Sequence, residues 1–175
     1  FQQSVEDYKA LLKATAYRAQ RRRVKGKIPG AHTNLYKYAT ERGWQIVPEG
    51  GRVGLVVDGG LWNDLSASGV RALMLDESRL EAIIGFINRK DLFPGIDNRM
   101  KFAAVVVARG GRTAEFPGVF MRMEWYDLDR FDQDAATLEA DAIRTDSRDS
   151  YPIPEVRSQE HWEAECAFGH QPSLS

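Results

Sequence analysis

Between Gly51 and Gly59 the chain reads Arg52-Val53-Gly54-Leu55-Val56-Val57-Asp58, a short, apolar, β-branched run bounded by glycines. Such a run predicts a strand buried on both faces, and strands of that kind belong to parallel sheets. Parallel neighbours need a crossover, and the sequence supplies one. Residues 66–76 carry Val70, Leu73 and Met74 on one helical face, and Leu80 to Ile87 supplies a second strand with Ile83, Ile84, Phe86 and Ile87. The result is a strand–helix–strand unit, expected to cross over right-handed.

The elements on either side follow from the same periodicities. Apolar side chains at Tyr8, Leu11, Leu12, Ala16 and Ala19 predict a helix from Val5 to about Ala19. Thr33 or Asn34 can cap a second helix, with Leu35, Tyr38 and Ala39 facing inward and Gly43 weakening it near its middle. Pro48-Glu49-Gly50-Gly51 is a turn, and residues 88–100, holding Phe93-Pro94-Gly95, are a loop. Phe102 to Ala108 is the strongest strand, stopped by Gly110-Gly111, and Val119 to Trp125 adds another. Beyond Tyr126 the chain turns acidic and irregular before Tyr151-Pro152-Ile153-Pro154, an extended connector.

With 175 residues, 43% of them hydrophobic, the chain has the size and apolar content of one domain with a true core. No apolar run approaches the ~20 residues of a membrane span, so no membrane partner is expected. Phe1-Gln2-Gln3-Ser4 lacks the charged and apolar regions of a signal peptide, and a first residue other than Met suits a piece of a longer protein. The single Cys166 excludes an internal disulfide framework and fits a reducing cytoplasm. A net charge of −1 says nothing about nucleic acid, but the local charge does.

Arg18, Arg21, Arg22, Arg23, Lys25 and Lys27 place six cations in ten residues, next to Pro29-Gly30. A solvated helix end accounts for some of them, whereas a loop meeting phosphates accounts for all. Phe93 is an aromatic in a polar loop beside Arg89, Lys90 and Arg99. Burial beneath the loop and stacking on a base are its two readings. Gly59-Gly60 follows a strand as a nucleotide-binding turn does, but no Gly-x-Gly-x-x-Gly or phosphate-loop pattern accompanies it, so a tight turn is expected. His161, Glu163, Glu165, Cys166 and His170 lack the spacing of a zinc module, and the Asp residues from 127 to 149 read as solvated surface. No Gly-x-Ser-x-Gly elbow is present.

Four stretches in collinear order resemble the gamma-class adenine-N6 DNA methyltransferases, above all those of large single-chain restriction-modification (type IIG) and phage-defence enzymes. Asn34-Leu35-Tyr36 is similar to the segment after that family's catalytic tetrapeptide. Pro48 to Val57 resembles its Pro-Gly-Gly turn and following strand. Asn88-Arg89-Lys90-Asp91-Leu92-Phe93-Pro94, with Asn98-Arg99-Met100-Lys101-Phe102, resembles its late hairpin. Ile143 to Glu155 is similar to the connector toward its target-recognition domain.

The resemblance implies an α/β fold: the C-terminal half of a class I S-adenosylmethionine-dependent methyltransferase (Rossmann-like) sheet, mixed, with an antiparallel last strand. Strands 52–58 and 80–87 would be parallel, with 102–108 inserted between them. Residues 1–125 would be the second half of the catalytic domain and 126–175 the connector. The complete enzyme would move a methyl group from S-adenosylmethionine to N6 of adenine in double-stranded DNA. This chain would pair with the remainder of the same polypeptide, place Phe93 on the flipped adenine and set Arg18, Arg21, Arg22, Arg23, Lys25, Lys27, Arg89 and Lys90 toward DNA. The tetrapeptide Asn/Asp-Pro-Pro-Tyr/Phe/Trp and the glycine loop for the cofactor are absent from the sequence, so no catalytic residue, no bound cofactor and no metal are expected here. Asp58 stands where the family usually has proline. A non-catalytic DNA-binding or interaction module, or an unrelated α/β nucleotide-binding protein, are the alternatives.

Overall fold

Alternating apolar stretches assemble into a single mixed sheet. The computed structural model describes residues 10, 17–29, 34–146 and 149–169, with the side chains of 168 and 169 excepted. Its strands are β1 (Arg52–Asp58), β2 (Ser78–Ile87), β3 (Lys101–Arg109), β4 (Glu115–Arg122) and β5 (Ala136–Glu139), in the order β1-β3-β2-β4-β5. β3 is antiparallel to both β1 and β2, so β1 and β2 run parallel with β3 between them, as expected. β4 lies parallel to β2, and β5 antiparallel to β4.

The crossover from β1 to β2 contains the single turn Gly60–Asn63, a 3-10 turn at Leu65–Ala67 and helix α2 (Ser68–Asp76). Val70, Leu73 and Met74 of α2 are all buried, as their spacing required. Helix α1 (Leu35–Ile46) runs through Gly43 without a break. Of its two candidate caps, Thr33 lies outside the described residues, and Asn34 takes the cap position without a side-chain hydrogen bond. The helix expected over residues 5–19 falls almost wholly outside the described residues; its last position, Ala19, opens a 3-10 turn, Ala19–Arg21.

Four expectations need correction. β1 is not buried on both faces and its neighbour is antiparallel: it is an edge strand, with Val57 in the core and Val56 55% exposed. An apolar run records what a strand could bury, while the neighbours decide what it does bury. In α1, Leu35 and Ala39 face outward, while Lys37, Tyr38, Thr40 and Glu41 are buried. β4 begins at Glu115 and ends at Arg122, and Trp125 opens a 3-10 turn (Trp125–Arg130). Pro117-Gly118 reads as a breaker, yet β5 pairs there, and the missing Cβ of Gly118 admits Ile83 Cγ2 and Leu138 Cδ1, each 3.0 Å from its place. Finally, the acidic tract is ordered: β5 alternates buried and exposed residues, and helices α3 (Ala140–Asp146) and α4 (Gln159–Gly169) follow.

The main core lies on one face of the sheet, under α1 and α2. It joins Trp62, Met74, Ile83, Val105, Phe120 and Leu138 to Ile143, Ile153 and Trp162 from beyond Tyr126. Residues on both sides of Tyr126 thus share one core. Tyr151 to Val156 is extended, as expected, with Ile153 N donating to Trp62 O (2.8 Å) and Phe120 N to Val156 O (2.9 Å). A smaller cluster of Ile84, Phe86 and Val119, packed by Leu92, Phe102 and Phe131, lies on the opposite face.

Candidate functional site

The loop from β2 to β3 leaves the sheet at the carboxyl end of β2, the same end at which β1 stops, since Asp58 stands opposite Phe102. In open α/β sheets that end is where ligands collect. One side chain organises the loop. Asn88 is fully buried; its Oδ1 accepts from Phe93 N (2.9 Å), and its Nδ2 donates to Phe93 O (3.1 Å) and Ile96 O (2.9 Å). Both backbone groups of Phe93 are therefore held by one amide. Asp91 at φ 56° and Gly95 at φ 80° make the reversals that close the loop, and an L side chain replacing Gly95 would be strained there.

Held in this way, the Phe93 ring is half-buried. It packs on Phe102 (centroids 4.3 Å, 45°) and meets Trp125 edge-on (5.4 Å, 79°), and Trp125 in turn leans on Phe86 (5.4 Å). Trp125 is 45% exposed, and Tyr126, Ile96 and Met100 are exposed near it in sequence or in the loop. Phe93 is neither a core residue nor a free one: one side rests on an aromatic shelf and the remainder meets solvent. Around it, Lys90 pairs with Glu124 (2.5 Å) and Arg99 with Asp97 (2.7 Å), each pairing raising the cation's pKa. Arg89 is exposed and pairs with no described carboxylate.

The basic segment is a built turn lying against α2. Val24 and Lys27 bridge each other around Lys25 (φ 49°) and Gly26 (φ 78°), the positive-φ pair that a tight hairpin turn demands. Ala19 N donates to the buried Glu41 (2.9 Å), and the backbone of Ala19 lies so close to Gly69 that a Cβ there would fall 1.6 Å from Ala19 O. The six cations divide by role. Arg18 pairs with Glu77 and lies over Trp44; Arg22 donates to Asp149 O (2.9 Å) and lies over Tyr151 (4.6 Å). Arg21, Arg23, Lys25 and Lys27 are exposed, with Arg23 also bonded to Gly26 O (2.9 Å).

Two of the plainer readings hold. Asp58 Oδ1 accepts from Gly60 N (2.7 Å), the geometry of a tight turn. A Cβ on Gly59 would come within 2.6 Å of Lys101 Cβ and 2.8 Å of Trp62, so the turn is filled by the chain itself. Beside it, Lys101 and Trp62 both reach Glu155, and the buried Tyr36 hydroxyl has no partner. Burial, then Asp64 and Asp58, push the Tyr36 pKa up. On α4, His161 lies 3.5 Å from Glu165, and no three such groups among the described residues could hold a metal; His170 lies outside them. Burial, with Glu139 and Glu165, raises the Cys166 thiol above its ordinary pKa, which disfavours the thiolate.

Sequence reasoning missed Asn88 and Trp125. A signal existed for each: an asparagine directly after a strand, where its amide can bond nearby backbone, and an aromatic pair before an acidic tract.

No family model matches the chain, and no curated protein matches it. A solved structure of the type I R-M system superposes with a TM-score of 0.51 at 13% identity, covering 77% of this chain and 35% of that one. What this match establishes is the fold. A modification subunit of a putative type I restriction enzyme from Vibrio vulnificus YJ016 aligns at TM-score 0.44 and 17% identity, over 56% of this chain and 24% of that one. The chain therefore spans about a third of the first of these structures. Its mixed five-stranded sheet with flanking helices is an α/β fold similar to theirs. No helix among the described residues is long and apolar enough to cross a membrane.

Proposed function

We infer that the chain is the C-terminal part of the catalytic domain of a restriction-modification DNA adenine-N6 methyltransferase, and that its loop 88–100 forms one wall of the target-base pocket. The observation that carries this reading is the Phe93 ring, half-open to solvent, clamped by Asn88 and backed by Phe102 and Trp125 at the carboxyl end of the parallel strands. Chemistry on a base requires extruding it from the duplex, and a flat ring replaces part of the stacking it loses. Resemblance to the restriction-modification fold, together with the sequence stretches described above, supports the same assignment. Arg89 and the exposed cations of the basic turn serve as phosphate contacts.

The residues of this chain do not fit S-adenosylmethionine. The Gly59-Gly60 turn is occupied by Lys101 and Trp62, and no glycine-rich loop follows any strand. In this reading the cofactor and the methyl transfer belong to other residues of the complete enzyme, and this chain orients the base and holds the backbone of the DNA.

In the complete enzyme Phe93→Ala should weaken flipping of the target adenine by about 1–3 kcal/mol, the contribution of one base–aromatic stack. Phe93→Trp should restore most of it. Fluorescence of 2-aminopurine at the target position reads the flipped state, and thermal melting controls for folding. A sharp loss of melting temperature with flipping intact in the folded protein would make Phe93 a packing residue and remove the assignment.

The basic turn has its own test. Converting Arg21, Arg23, Lys25 and Lys27 together to alanine should weaken DNA binding equally for all sequences. It should also flatten the salt dependence by up to ~0.9 for each phosphate no longer neutralised. Binding titrations from low to moderate salt measure the slope. An unchanged slope returns the turn to solvated surface.

A further inference from the structure

The two edges of the sheet are built differently. At one end β5 has only four residues, and its Thr137 N–H is taken by Gln159 Oε1 of α4 (2.9 Å), while Trp162 of the same helix reaches Glu139. Short length and a covering helix are ordinary ways to close an edge. The other edge, β1, has seven residues, no proline and no bulge. Its hydrogen-bonding parity follows from its ends: Arg109 N donates to Gly51 O and Gly59 N donates to Lys101 O, both 2.8 Å. In an antiparallel pair bonded positions alternate, so Val53, Leu55 and Val57 bond to β3. Residues 52, 54, 56 and 58 turn their N–H and C=O groups off the sheet, where no described strand pairs with them.

The helix above this edge has its faces reversed. α1 sits on β1 through Gly43, whose Cβ position is 3.1 Å from Val53 Cγ1, and its Glu41, Lys37 and Trp44 side chains turn toward residues 19–20, Ser66 and Ser78. The flank left over carries Leu35 (55% exposed), Ala39 and Ile46 (66% exposed), together with Arg42. This apolar stripe points away from α2, over the free edge, with Val56 (55% exposed) beneath. Polar groups buried on one side and an apolar stripe exposed on the other mark a helix that another layer covers.

We propose that the outer edge of β1, with Leu35, Ala39 and Ile46 of α1, is an interface where another part of the complete enzyme adds a β-strand beside β1 and an apolar cover over α1. This rests on reading the chain as part of a larger enzyme, in keeping with its covering 35% of the solved structure that shares its fold. The added strand bonds to positions 52, 54, 56 and 58, and Gly54 leaves room for a neighbouring side chain on the open face, since nothing lies within 4 Å of its Cβ position.

Amide hydrogen exchange at Gly54 and Val56 tests it, measured on this chain alone and on the complete enzyme. In the chain alone both amides should exchange freely at every protein concentration. In the complete enzyme they should be slowed on the order of a thousandfold, as in an interior strand. Val56→Pro removes only an outward N–H, a change an edge strand tolerates. It should leave the melting temperature of the chain alone within about 2 °C, and lower that of the complete enzyme by roughly 4 °C or more. Leu35→Glu should behave in the same way. Free exchange in the complete enzyme overturns the proposal even where that enzyme methylates DNA, and protection without methylation leaves the interface standing while the enzymatic reading falls. Protection in the chain alone that grows with concentration and disappears in Val56→Pro assigns the edge to a second copy, and also overturns it.

Discussion

Arg71→Leu should destabilise the chain by about 3–5 kcal/mol, the usual loss when one partner of a buried charged network is removed. Arg71 is fully buried on α2, and its guanidinium donates to three backbone oxygens: Leu61 (2.9 Å), Asp64 (2.8 Å) and, from two nitrogens, Ser150 (2.9 and 2.7 Å). It thereby ties the turn after β1 to the chain entering the extended 151–156 segment. Burial lowers its pKa to about 10, opposed by Tyr36 and Asp64, so it stays charged at neutral pH. Leucine fills part of the volume but leaves those carbonyls without donors, each costing about 1–3 kcal/mol. Arg71→Lys should recover less than half, because a point charge cannot span three carbonyls as the planar fork does. Urea unfolding measures both variants. A loss below about 1 kcal/mol for leucine would mean that water or other donors replace the guanidinium.

Asn88→Asp should be the most damaging single change in the loop, although it keeps the size of the side chain. Oδ1 can still accept from Phe93 N, but the carboxylate brings a second acceptor where Nδ2 donated to Phe93 O and Ile96 O. Two carbonyls and a buried charge then face each other without a proton between them. A cost of roughly 2–4 kcal/mol is expected from the lost donors and the desolvated charge. Asn88→Ala removes the bonds without adding a charge and should cost less. In the complete enzyme both should impair base flipping beyond what their stability loss explains, and the Phe93→Ala defect should not add to theirs, since all act through one ring. Full additivity with Phe93→Ala would separate Asn88 from the pocket.

Legibility in the sequence divides by what sets each feature. The strands at 52–58 and 102–108 and the inward residues of α2 follow from local composition and period, so they were readable, as was the polar loop around Phe93. The antiparallel insertion of β3 came from the family resemblance, since nothing local distinguishes it. The orientation of α1 was not readable: Leu35 and Ala39 look like a core stripe, and only the presence of residues 19–20 and α2 shows that Glu41 and Lys37 take the inside. β5 was hidden because Ala136-Thr137-Leu138-Glu139 has two apolar residues in an acidic tract. The clamp by Asn88 depends on a loop closing back over its own first residue, an arrangement that no periodicity encodes. Arg22 and Arg18 show the same limit, since their charge was legible but their attachment to Tyr151, Trp44 and Glu77 was not.

The placing of the tryptophans gives the loop an optical handle. Trp62 and Trp162 are buried, and Trp44 is covered by the guanidinium groups of Arg18 and Arg109, while Trp125 stands 45% exposed against Phe93. A collisional quencher in solution therefore reaches Trp125 far more readily than the other three, and the quenchable part of the emission reports on the surroundings of one ring. A base seated on Phe93 would shield that ring and turn the chain's own fluorescence into a titration signal, with no label attached.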